Sequence, residues 1–137
     1  LSDLIKIDYQ KTIKVLKQNG VGTSKILWHW FGLSSFFSNS ISFPKLIDQY
    51  KSGSIETESF LRLSASRLGV SEATFKDAWN QMVEIPDDAF DKINVLANFQ
   101  SKHPDLKILL VSNSNELHAE KIQATFEKSR LSEMDIK

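Results

Sequence analysis

The chain has 137 residues, 41% hydrophobic and 25% charged, which suits one globular domain with a core of its own. Its 17 basic and 17 acidic residues cancel, and the basic ones are scattered, which argues against a nucleic-acid or anionic-membrane surface. With no cysteine, disulfides and thiol nucleophiles are excluded.

No stretch approaches the length of a membrane span, and "LSDLIKIDYQK" at the start lacks the basic lead and long apolar stretch of a signal peptide. The default expectation is a soluble, cytoplasmic protein.

In chain order, "LIKI" (residues 4–7) alternates apolar and basic residues and suits a very short strand. "IDYQKTIKVLKQNGVG" follows, with Tyr9, Ile13, Val15 and Leu16 at helical spacing and Asn19-Gly20 as a C-terminal stop. The next segment is dense in aromatics: Trp28, Trp30, Phe31, Phe36, Phe37 and Phe43. These read first as core or inter-domain contact and second as a ligand cage. His29, between two tryptophans and without a visible catalytic partner, reads as structural.

Helical signals then sharpen. "GSIETESFLRLSASRLGV" places Phe60, Leu61, Leu63 and Leu68 on one stripe, with Gly69 as the stop. "SEATFKDAWNQMV" opens on Ser71 as an N-cap and aligns Phe75, Trp79 and Met82 on one face. Pro86 opens a further helix, with Asp87 and Asp88 in its first turn, where the helix dipole favours acids. Phe90, Ile93, Val95, Leu96, Ala97 and Phe99 supply its apolar stripe, and His103-Pro104 ends it. Residues 10–103 are thus predicted to be almost wholly helical, in five or so helices.

"LKILLVS" breaks that period. Ile108 to Val111 is a continuous apolar run of the kind that forms a strand buried on both faces in a parallel α/β sheet. Such a strand needs neighbours, and "LIKI" is the one other candidate in the chain. The expectation is therefore a piece of a larger protein, or a chain whose missing core strands come from another.

At the exit of this run stand Ser112, Asn113, Ser114 and Asn115, and a helix follows from about Glu116. In open α/β sheets ligands bind beyond the carboxyl ends of strands, and a helix starting there offers unpaired N–H groups to an anion. The Ser112 hydroxyl and the Asn113 N–H suit a phosphate, and Ser114 or Asn115 suits the cap. Capping explains one of the four polar residues; spacing alone leaves Ser112 open between phosphate binding and simple turn formation.

"LKILLVSNSNELH" resembles motif II of the haloacid dehalogenase (HAD) superfamily, in the subgroup whose strand ends in Leu-Ser-Asn-Thr-Asn with a His three residues on. Ser112, Asn113, Asn115 and His118 match, and Ser114 replaces Thr. "IDYQKTIKVL" resembles the segment after the family's first motif. The stretch from "YKSGSIETESF" to "WNQMV" resembles its helical cap, including the Trp79-Asn80 pair.

The fold this implies is α/β: a mostly helical cap bundle plus part of a Rossmann-like parallel-sheet core. Residues 1–9 would be a linker leaving the core, 10–103 the cap region, and 104–137 the partial core. The activity implied is Mg²⁺-dependent hydrolysis of small phosphorylated metabolites through an aspartyl-phosphate. Ser112 would bind the transferring phosphoryl group with Asn113 beside it, and Lys137 would be the family's later lysine or its immediate predecessor.

The departures are as informative. The first-motif aspartate would lie just before "LSDLIKIDY". Asp8 is a second candidate for that nucleophile, with Gln10 replacing the acid/base aspartate, but "IDYQKTIKVL" fits the downstream segment better. The late acidic pair that holds Mg²⁺ has no counterpart, and Asp87-Asp88 sits within the cap. The chain by itself is thus expected to be inactive. Two other readings share the layout: a 2-haloacid dehalogenase, and a non-catalytic helical domain whose aromatic segment binds a partner.

Overall fold

The computed structural model describes residues 4–30, 41–108 and 114–128. The expectations on Phe31, Phe36 and Phe37, on the strand beyond Ile108, and on Ser112, Asn113 and Lys137 lie outside the described residues.

β1 (Lys6–Ile7) comes from the "LIKI" segment and leads into α1 (Tyr9–Gln18). Asp8 caps α1, its Oδ1 accepting the Gln10 N–H at 2.9 Å. The helix ends at Asn19, and Gly20 takes the left-handed conformation (φ +84°) that releases the chain. The buried face of α1 is Thr12 and Leu16, while Tyr9 is 44% exposed.

α2 (Thr23–Trp30) and α3 (Phe43–Lys51) follow. Ser42 caps α3, and Pro44 sits in its first turn, where its missing N–H costs nothing. The helices α4 (Thr57–Leu68) and α5 (Glu72–Gln81) are packed as a pair, joined by Gly69 in the left-handed region. Ser71 caps α5 by accepting the Thr74 N–H at 3.1 Å.

Two expectations are corrected in this stretch. The buried face of α4 is Phe60, Ser64, Ala65 and Leu68, and Leu63 points to solvent. "LIKI" is also not the one other strand ahead of the run at 108–111. Its described partner is β2 (Val83–Glu84), antiparallel, with Lys6 opposite Glu84 and Ile7 opposite Val83. β2 is two residues long and follows α5 almost directly, too short for any alternating pattern to mark it. Lys11 of α1 reinforces the pairing through an ion pair with Glu84 at 2.9 Å.

α6 (Ala89–Lys102) starts later than expected, so Asp87 and Asp88 precede it. Asp88 holds the N-cap position without a capping bond; Lys92 instead pairs with its carboxylate at 2.9 Å and draws its pKa down. The predicted apolar stripe is only partly buried. Ala89 and Ile93 join the core and Phe90 packs edge-on to Phe126, whereas Val95 (67%), Leu96 (37%) and Phe99 (49%) are exposed. The last helix is α7 (Glu116–Lys128).

One buried cluster joins these helices. Phe60 lies at its centre, stacked on Tyr50 at 4.2 Å and edge-on to Phe75 and Trp79. Phe43 links Phe75 to Trp30. Leu117, Ile122 and Phe126 of α7 belong to the same cluster as the helices before it. Each large side chain removed from water here contributes about 2–3 kcal/mol. Among the described residues the architecture is therefore helical with one two-stranded antiparallel sheet; it contains no parallel strand pair.

Candidate functional site at the start of helix α7

The expected phosphate turn leads into α7, and the described half of that turn is tightly built. Asn115, not Ser114, is the cap: its Oδ1 accepts the His118 N–H at 3.1 Å. That bond fixes the amide orientation, because a backbone N–H can only donate. The amide nitrogen of Asn115 therefore faces His118 Nδ1, 3.0 Å away, and donates to it. Nδ1 being the acceptor, the ring proton sits on Nε2, which donates to the Trp79 carbonyl at 3.3 Å.

The imidazole is also stacked on the Trp79 indole, with centroids 5.4 Å apart and planes 17° from parallel. Burial holds the His118 pKa down at about 4, with Lys121 and Lys51 adding to the effect and the Trp79 carbonyl opposing it. His118 is thus a neutral, fully engaged ring. It anchors the start of α7 on α5 and has no free nitrogen for chemistry.

Lys121, one turn further along α7, donates to the Asn80 carbonyl at 2.6 Å and the Val83 carbonyl at 2.9 Å. The Asn80 carbonyl lies in the last turn of α5, where the helix dipole favours a cation, and the Val83 carbonyl belongs to β2. Burial, with Lys11 nearby, lowers the Lys121 pKa against the opposing charge of Asp77.

A second set of bonds ties the first turn of α7 to α3 and α4. The Leu117 N–H donates to the Tyr50 hydroxyl at 3.4 Å, Tyr50 and Thr57 hydroxyls lie 3.1 Å apart, and the Thr57 hydroxyl donates to the Glu116 carboxylate. Tyr50 and Thr57 are not singled out by the sequence pattern. The one available signal was their place on either side of the Gly53-Ser54-Ile55 turn. Between these groups an open cleft of about 710 Å³ is lined by residues that include Tyr50, Lys51, Thr57, Lys76, Ser114 and Glu116.

Asp8, the second nucleophile candidate, is engaged as the cap of α1, and its backbone N–H donates to the Met82 carbonyl at 2.8 Å. Trp28 is 41% exposed while Trp30 packs on Phe43 and Tyr9, so the two do not share one exposed face. No group of three or more His, Asp or Glu side chains among the described residues could hold a metal ion. The described part of the chain therefore does not fit a Mg²⁺ site. No helix among the described residues is long and apolar enough to cross a membrane.

No protein-family model matches the chain, and no curated protein does. Solved structures do. A HAD family enzyme from Bacteroides thetaiotaomicron superposes with a TM-score of 0.61 over 87% of this chain, at 22% identity. The same enzyme bound to magnesium and inorganic phosphate gives 0.57, and an aspartate-to-alanine variant with the same ligands gives 0.55, each over 85% of the chain. At this identity the likeness is one of fold. The chain spans about half the length of that enzyme (52%, 51% and 50% in the three structures).

Proposed function

We propose that this chain is the cap and motif II portion of a HAD-type phosphohydrolase. The observation that carries the reading is the start of α7. There a buried Asn115 cap and the Asn115–His118–Trp79 contact fix where the helix begins, directly after Ser112 and Asn113. With the Leu117 and His118 N–H groups already engaged, what a helix start so anchored offers a transferring phosphoryl group is the positive end of its dipole in a constant position. The fold shared with an enzyme solved with magnesium and inorganic phosphate supports the same reading.

In this proposal the Ser112 hydroxyl and the Asn113 N–H donate to phosphoryl oxygens, and Lys137 or the residue after it faces the same charge. The cleft beside α7 receives the rest of a small phosphorylated metabolite. Residues 10–103 act as the cap, and 104–137 belong to a core completed by strands from outside this segment. Mg²⁺ would be held by acidic residues from that completed core. The nucleophile belongs to a strand ahead of Leu1, because Asp8 already serves as a cap.

The test is hydrolysis of a generic phosphate ester with Mg²⁺ by the complete gene product. Ser112→Ala is expected to lower kcat/KM by about 100-fold, the usual loss for one oxyanion donor. Turnover unchanged by Ser112→Ala sinks the proposal, as does release of halide from a 2-haloacid with no phosphatase activity.

A further inference from the structure

The cleft beside α7 carries an acid at the end where an anion would bind. Glu116 is the first residue of α7 and lines the cleft. A carboxylate in a first turn is itself drawn to the positive end of its helix. Left free there, it would compete with a phosphoryl group for that end and repel it. The structure ties it elsewhere: the Glu116 carboxylate accepts the hydroxyl of Thr57, the first residue of α4 and 59 positions away in sequence.

That bond ends a directed chain. A carboxylate only accepts, so the single proton of Thr57 Oγ1 is committed to Glu116. The Tyr50 hydroxyl, 3.1 Å from Thr57 Oγ1, must then donate to it, while accepting the Leu117 N–H at 3.4 Å. Tyr50 is held in this role, since it is buried and its ring is stacked on Phe60 at 4.2 Å. Each hydroxyl thus has a donor behind it and an acceptor ahead, and the last bond is strengthened by the carboxylate charge. The other acid that α7 gives the cleft, Glu120, is held by Lys76 of α5 at 3.1 Å. Both α7 carboxylates in the cleft are therefore engaged by side chains of α4 and α5.

Resting on the function proposed above, we infer that Thr57 is a positioning residue for phosphoryl binding. It draws the Glu116 carboxylate to the start of α4 and so keeps the start of α7 open to the anion. Tyr50 orients it, because the Tyr50 proton occupies a lone pair of Thr57 Oγ1 and leaves the Thr57 proton to Glu116. Complementing the helix dipole explains an acid at position 116. It does not explain why that acid is bonded to α4 while the Leu117 N–H of the same turn goes to Tyr50.

The experiment is steady-state hydrolysis of a generic phosphate ester with Mg²⁺ by the complete gene product, with inorganic phosphate as the inhibitor. Thr57→Val keeps the shape of the side chain and frees Glu116. KM and the phosphate Ki should both rise about fivefold, the scale of one charge at a helix start, with kcat changed less than about twofold. Glu116→Asp, shorter by one methylene, should do the same without altering α4. Thr57→Ser keeps the hydroxyl and should keep KM. Adding Glu116→Gln to Thr57→Val removes the released charge and should restore KM. A bond that merely holds α7 in place predicts the opposite, a double variant no better than Thr57→Val alone. That outcome, or a KM unchanged in both Thr57→Val and Glu116→Asp, overturns the inference while turnover lost in Ser112→Ala still upholds the function. Absence of phosphatase activity in the unaltered protein overturns both.

Discussion

His118 lies face to face with Trp79, 5.4 Å between ring centroids, while its Nε2 donates to the carbonyl of that same residue. The contact joins the two pieces of sequence that resembled separate motifs, the strand-exit turn and the Trp-Asn pair of the helical region. Replacing Trp79 tests how much of the fold depends on it. Trp79→Ala should cost about 3–5 kcal/mol, since it empties a fully buried site. Trp79→Phe should cost only about 1–2 kcal/mol, because the indole Nε1 makes no hydrogen bond that Phe would lose. Urea denaturation of the two variants measures the difference.

Asn115 does two jobs with one amide. Asn115→Ala removes the cap and leaves His118 Nδ1 unpaired, a loss of about 2 kcal/mol. Asn115→Asp keeps the cap but turns a carboxylate oxygen toward Nδ1, which favours the imidazolium. The His118 pKa should then rise by at least about one unit, measured by NMR titration of the ring protons.

The neutral state of His118 makes stability pH-dependent. Its folded pKa, about 4, lies below the value of 6.5 for a free histidine. As pH falls through 6.5 the unfolded chain takes up a proton that the folded chain refuses, so stability declines from there and levels off near pH 4. The expected loss is on the order of 2 kcal/mol, less than the whole shift implies because the ring edge keeps some solvent screening. Urea midpoints between pH 7 and 4 should show this slope, and His118→Gln should flatten it.

Lys121 closes the end of α5 across 38 residues of sequence to Val83 and 41 to Asn80. Lys121→Met keeps the aliphatic stem and removes both bonds, for a cost of about 1 kcal/mol. The end of α5 and β2 should loosen first. The Asp8 amide, which donates to the Met82 carbonyl, should therefore exchange with deuterium faster in the variant, while the Phe60 amide within α4 should not change.

Much of the helical layout was legible in the residues. The ends of α1, α4 and α5 were read from Asn19-Gly20, Gly69 and Ser71, and the core face of α5 from Phe75, Trp79 and Met82. A cap or a stop acts within four residues, so the information is local and survives without knowing the fold. The same holds for the helix after the polar run, whose cap proved to be Asn115.

What the sequence determined by itself was therefore a largely helical chain, an end each of α1, α4 and α5, and the start of α7. Tertiary structure alone decided which of these surfaces meet. β1 paired with Val83–Glu84 because ladder bonds join backbone groups far apart in the chain, which carry no mark in the side chains of a two-residue strand. The stripe on α6 is half exposed because burial depends on what lies opposite, not on the spacing of Val95, Leu96 and Phe99. His118 met Trp79 for the same reason: a buried imidazole must satisfy both nitrogens, and the carbonyl that satisfies one of them arrives only when α7 packs on α5.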